Sequence, residues 1–91
     1  MALMTDQMTV ARGIITLVSE TVAHEDLVHA RETLEVGYPR SAIFRALAAA
    51  RDHGGWVSED LRDIVYNQIE WPEDELEDIN VVLRDTPLKA A

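Results

Sequence analysis

The apolar residues of this 91-residue chain return at steps of three and four, and nowhere do they alternate with period two over the length of a strand. At 100° per residue that spacing lays them along one stripe of a helix, and striped helices become stable by burying the stripes against one another. The expected fold is therefore all-α, a compact bundle of four to five short helices, with no internal repeat to suggest an array. The segment GWVS, ending at Ser58, is the one candidate for a short strand, and it has no obvious partner.

Met8, Ala11, Ile15, Val18 and Val22, with Ile14 beside them, mark a first helix over about residues 6–22, which Thr5 or Asp6 can cap. Leu27, Ala30 and Leu34 continue the pattern in another phase, so a break or kink is expected near residues 24–26; without Gly or Pro there, one long helix is the alternative. Gly37 and Pro39 stop the second helix near Val36, because Gly accepts the left-handed conformation past a helix end and Pro lacks the N–H that would continue the ladder. A third helix starts at Pro39 to Ser41, buries Ile43, Phe44, Leu47, Ala48 and Ala50, and ends at Gly54 and Gly55. Ser58 caps a fourth, with Leu61, Ile64, Val65 and Ile69 inward, and Trp56 and Val57 close the core at its mouth. Pro72 opens a fifth, whose inward residues are Leu76, Ile79 and Leu83. Pro87 then releases a short tail, so residues 1–5 and 86–91 are expected to be flexible ends of a single helical domain spanning 1–91.

The stretch EWPEDELEDIN, residues 70–80, carries six carboxylates and no basic residue. Part of this has a structural reason: Glu73, Asp74 and Glu75 follow Pro72 at the positive end of the helix dipole. The surplus is Asp74, Glu77 and Asp78 on the outer side, reinforced by Glu59 and Asp63 of the fourth helix. The chain carries a net charge of −9, of which −7 falls from residue 58 onward and −2 before it. Such a surface disfavours nucleic acid and anionic membrane, which are bound by Lys and Arg. It favours a protein partner with a basic surface, met by Asp74, Glu77, Asp78, Glu59, Asp63 and Trp71. The leading expectation is thus a non-enzymatic acidic interaction module, a small regulator or adaptor. A further alternative is a mimic of DNA, whose carboxylates would occupy a cationic groove.

Residues 33–47, TLEVGYPRSAIFRAL, resemble a helix-turn-helix, and GYPRSAIFRAL is similar to the reading helix of winged regulators of the IclR type. Gly37 falls at the family's turn glycine and Ile43 at the apolar residue that locks its two helices. The resemblance implies a transcription regulator in which Arg40, Ser41 and Arg45 face DNA, with Pro39 and Phe44 alongside. A homodimer would read two half-sites, with the first helix as seam through Met8, Ala11, Ile15, Val18 and Val22. The sequence departs from the family at Glu32, where a buried apolar residue belongs, at Thr33, where a small one does, and at SEDLRDIVYNQI, a helix where a wing hairpin belongs.

Other constellations offer less. Asp26 and His29, with Glu25 and Glu32 on neighbouring turns, have a chelating spacing, but a di-metal carboxylate site needs a second such motif; no metal and no cofactor are expected. Ser19, Ser41 and Ser58 suit helix faces and caps; there is no GxSxG turn, P-loop or dinucleotide fingerprint, and no enzyme is expected. His53 belongs at the end of the third helix, where exposed carbonyls favour a donor. Trp56, Tyr66 and Trp71 are expected chiefly as core packing, with Trp71 the exception that reaches a partner. Cysteine is absent, the apolar runs are short, and MALMTDQM is unlike a signal peptide, so a soluble cytoplasmic chain is expected.

Overall fold

The computed structural model describes residues 6–89, and its regular structure is helical: α1 Gln7–Val18, a 3₁₀ turn His24–Leu27, α2 Val28–Glu35, α3 Pro39–Asp52, α4 Glu59–Gln68 and α5 Glu73–Asp85. The helix ends are set by local chemistry. Asp6 accepts the Met8 N–H, and Ser58 accepts the Leu61 N–H at 3.1 Å, each answering one of the donors that a helix start leaves unpaired. Gly37 (φ 92°) and Gly54 (φ 74°) take the left-handed conformation past the ends of α2 and α3. Replacing Ser58 by Ala should cost about 1 kcal/mol and lower the melting temperature by about 4–8 °C. Ser58→Asp should restore most of it, as read by circular dichroism.

The first helix is shorter than its apolar spacing predicts. It stops at Val18 because Ser19, Glu20 and Thr21 turn the chain: the Ser19 hydroxyl donates to the Thr16 carbonyl, and the Thr21 hydroxyl lies 3.2 Å from the Val18 carbonyl oxygen. Hydroxyls bound to nearby carbonyls offer the backbone an alternative to the helical ladder. The break predicted near residues 24–26 is present as the 3₁₀ turn.

The third helix is the hub, packed against α1, α2 and α5, while α4 lies against α1. Ala42, Ala46 and Ala50 form one fully buried row along it, small enough for neighbouring helices to approach closely, and Ile43 and Leu47 form a second. Around them Ile14, Ile15, Leu27, Val65, Ile79 and Val82 complete one hydrophobic cluster. On α5 the inward residues are Ile79, Val82 and Leu83, with Leu76 only partly buried; Val82 replaces Leu76 in the expected set.

The residues expected at a dimer seam lie chiefly in the core. Ala11, Ile15, Val18 and Val22 are buried within the chain itself, so the heptad spacing of α1 coincides with the core stripe. Past α5, Thr86 is buried with its hydroxyl donating to the Val82 carbonyl, and Leu88 forms a parallel bridge with Val57. Val57 donates to the Pro87 carbonyl at 2.9 Å and accepts the Lys89 N–H at 2.8 Å, so the candidate strand finds its partner in the segment after α5. Lys89 Nζ stands 4.8 Å from the centroid of the Trp56 ring. The expected ends at residues 1–5, 90 and 91 lie outside the described residues. Among the described residues no helix is long and apolar enough to cross a membrane.

Candidate functional site

Two regions that the sequence suggests for different purposes meet across one cleft. Arg40, Ser41, Phe44 and Arg45 of α3 share one face of that helix and form one wall. Glu75, Asp78 and Ile79 of α5 form the other, and Trp71 closes the end. The cleft has a volume of about 290 Å³. Its apolar lining is Phe44, Trp71 and Ile79, while its polar groups divide by sign, two guanidiniums on α3 against two carboxylates on α5.

One bond crosses it: Arg40 Nε donates to Glu75 Oε1 at 3.2 Å, with both side chains somewhat over a third exposed. A pair so placed is worth about 0.2–1 kcal/mol, which makes it a tether more than a source of stability. Its larger consequence is electrostatic, since it occupies Arg40 with a carboxylate. Ser41 and Arg45 are exposed on their helix, but the face as a whole is shared with α5. A phosphate backbone approaching Arg40, Ser41 and Arg45 would also meet the carboxylates of Glu75 and Asp78, which line the same cleft.

The acidic residues singled out in the sequence separate into three groups. Asp78 lines the cleft; Asp74 and Glu77 are exposed beside it on the outward part of α5; Glu59 and Asp63 are exposed on α4, one turn apart. Between the α5 and α4 groups stands a link of a different kind, the Tyr66 hydroxyl donating to Asn80 Oδ1 at 2.7 Å. Val81 is 40% exposed on α5 and Tyr66 37% exposed on α4. The acids are thus interrupted by neutral and apolar side chains, an arrangement unlike the continuous run of phosphates that a DNA mimic would reproduce.

The aromatic residues reverse their expected order. Trp71, expected to be the exposed member, is the one built into the fold: it packs on the core cluster and its Nε1–H donates to the Val65 carbonyl at 2.8 Å. Val65 is among the last four residues of α4, whose carbonyls have no partner within the helix, so the indole satisfies an acceptor that the helix end leaves open. Trp56 and Tyr66, expected in the core, are each more than a third exposed. Trp71 is half-buried because its indole reaches back six residues to a carbonyl left open at the end of α4.

The candidate metal ligands are drawn apart. Asp26 Oδ1 lies 3.7 Å from His53 Nδ1, whereas His29 Nδ1 lies 3.7 Å from Glu32 Oε1. Among the described residues no three His, Asp or Glu side chains gather as a metal-binding set. At the end of α3, Arg51 Nε donates to Asp52 Oδ1 at 2.8 Å, which holds Asp52 below the usual carboxylate range and raises Arg51. The depressed carboxylate stabilises the fold above its ordinary pKa and loses that contribution as acid protonates it. Because Asp52 lies in water beside its sequence neighbour, the effect on stability is small.

The residue that sequence reasoning passed over is Glu75, taken there only as a helix-dipole partner. Its spacing from Asp78 and Ile79 places all three on one side of α5, but nothing local indicates that α3 stands opposite. The fold and site define a small all-α bundle with a charged, amphipathic cleft between its third and fifth helices. Comparison with protein-family models, curated proteins and solved structures gives no match.

Proposed function

We propose that this chain is a non-enzymatic helical interaction module, a small regulator or adaptor acting in the cytoplasm, which binds a basic protein surface through α5 and the adjoining face of α4. The acidic side of α5 carries this reading: Asp74 and Glu77 are exposed on it, and Asp78 stands at the cleft whose apolar lining is Phe44, Trp71 and Ile79, while Glu75 is held by Arg40. A partner lysine or arginine would lay its aliphatic stem along the aromatic residues and its charge against the carboxylates. Rim charges act mainly on encounter rate and partner choice, and a buried apolar anchor supplies most of the affinity. Trp71 contributes its ring to that lining, while Glu59 and Asp63 extend the attraction across α4.

The test pairs the parent chain with a variant carrying Lys at positions 73, 74, 77 and 78. A peptide of alternating lysine and leucine should bind the parent at low salt, weaken at least tenfold in 0.5 M salt, and lose measurable affinity for the variant while the variant keeps its helical circular dichroism. Binding that ignores both salt and charge reversal would sink the proposal.

The exposed Ser41 and Arg45, near the start of a helix that follows the Gly37 turn, favour a second reading as a helix-turn-helix DNA binder. The Arg40 to Glu75 contact weighs against it. Under that reading the parent would retain a labelled duplex at moderate salt, and Arg40→Ala with Arg45→Ala would release it.

A further inference from the structure

We infer that α1 and α2 form a second binding site, for an organic carboxylate bearing an apolar chain, with Arg12 and Arg31 as its cationic pair. The site is independent of the α5 face. Arg12, Ile15 and Thr16 of α1 and Arg31, Leu34 and Glu35 of α2 line a groove of about 560 Å³, with Met8 at its edge. That volume lies in the range of about 300–1,000 Å³ typical of small-molecule sites. Helical spacing accounts for the lining, since Met8, Arg12 and Ile15 recur along one stripe of α1, and Arg31, Leu34 and Glu35 along one stripe of α2.

Charge is the first reason to assign a ligand. The chain has 17 acidic residues against 8 lysines and arginines, so pairing both of these arginines internally would be easy. Yet among the described residues neither Arg12 nor Arg31 takes part in an ion pair, and the groove holds one carboxylate, Glu35, against two guanidiniums. Two unpaired guanidiniums beside one groove are a local concentration of positive charge in a protein that is otherwise strongly negative.

The second reason is a donor without an acceptor. Arg31 Nε is enclosed and has no hydrogen-bond partner, although such groups are nearly always satisfied in folded proteins. The stem of Arg31 is therefore held in place by packing, without a bond to fix it, while its side chain as a whole is only partly buried. A guanidinium presents its donors in a rigid fork that matches a carboxylate. An anion at this fork would compensate the charge, and a small shift of the side chain would give the enclosed N–H an acceptor.

The apolar side of the groove selects among anions. Ile15 and Leu34, 2% and 8% exposed, form the floor of that space, and the partly exposed Met8, whose thioether adapts to irregular shapes, offers the apolar surface an alkyl chain would cover. Inorganic phosphate would satisfy the guanidiniums and leave that border wet. A carboxylate with a short alkyl chain satisfies both.

The experiment titrates the full chain, labelled for amide, arginine Nε–H and methyl resonances, with sodium octanoate, octan-1-ol and inorganic phosphate in turn at fixed ionic strength. Octanoate is expected to give saturable shifts at the Arg12 Nε–H and at the Ile15 and Leu34 methyls, with octanol and phosphate at least tenfold weaker. Arg12→Gln, at an exposed position, should weaken octanoate at least fivefold; Arg31→Gln should do the same, and Glu35→Gln should tighten it. The Lys variant of α5 should bind octanoate as the parent does, which separates this site from the one proposed above. No saturable octanoate binding, equal binding of octanol or of phosphate, or unchanged affinity in Arg12→Gln would each overturn the assignment.

Discussion

Leu47→Ala is expected to destabilise the chain strongly and to move its urea midpoint well below that of the parent. Leu47 is fully buried on the hub helix, in the row it shares with Ile43, and α3 packs against α1, α2 and α5. Removing its isobutyl group forfeits the transfer free energy of the side chain and leaves a cavity that neighbours on several helices cannot all close. Such substitutions cost about 2–5 kcal/mol. A domain of this length has only about 5–14 kcal/mol in total, so the ratio of unfolded to folded chain should rise by about 30-fold to several thousand-fold. Urea titration followed by circular dichroism measures the loss. A midpoint unchanged from the parent would mean that α3 is not the hub. Leu47→Met, which conserves volume, should cost less than about 1.5 kcal/mol and serves as the control.

Gly55→Ala is the second large effect, and it has the opposite cause. A Cβ at Gly55 would lie 2.6 Å from Val22 Cγ2, 2.8 Å from Thr21 Oγ1 and 3.1 Å from the Ala50 Cα. Two of these atoms are closer than real contacts allow, and the third belongs to the backbone of α3, which cannot yield without moving the hub. The residue is buried, and its backbone is not in the left-handed region, so the requirement is for space and not for conformation. Overpacking of this kind costs about 1–3 kcal/mol, or a melting temperature lower by about 5–20 °C. The same substitution at Gly13, whose Cβ would meet nothing within 4 Å, should be neutral or stabilising because Ala favours the helix. A scan in which Gly55→Ala melts with the parent would show that the turn after α1 is not packed against the end of α3.

The Gly55 effect depends on the turn that follows α1, where sequence reading was least informative. The apolar spacing of Met8 to Val22 identified a buried stripe, and Val22 is indeed buried, but it could not say that the helix stops at Val18. That decision belongs to Ser19 and Thr21, whose hydroxyls turn back on α1 while Thr21 also accepts the Trp56 N–H at 3.4 Å. The Gly37 and Ser58 boundaries were legible because their causes lie within three or four residues. Similarly, the heptad of α1 cannot distinguish an intramolecular core from a dimer seam, since both bury the same stripe.

The candidate site divides along the same line. That α5 would be acidic on its outer side, and that α3 would carry Arg40, Ser41 and Arg45 together, followed from residue spacing alone. Their opposition across one cleft did not, because Arg40 and Glu75 are 35 residues apart and their meeting depends on how α3 and α5 cross. The exchange of roles between Trp71 and the pair Trp56 and Tyr66 has a nearer origin: the Val65 carbonyl that captures the indole lies six residues back, where the end of α4 leaves it open.

Local chemistry, then, was sufficient for the all-α class, for most helix boundaries and for the sign of the charge on each half of the chain. Periodicity, capping and the conformational limits of Gly and Pro act over a few residues, and the order of residues states them directly. Only the tertiary structure decided that the α1 stripe is consumed within the chain, that residues 87–89 pair with Val57, and that the basic and acidic faces share one cleft. Each of these is a contact between distant segments, chosen by the packing of whole helices, and one helix's periodicity carries no record of the helix it will meet.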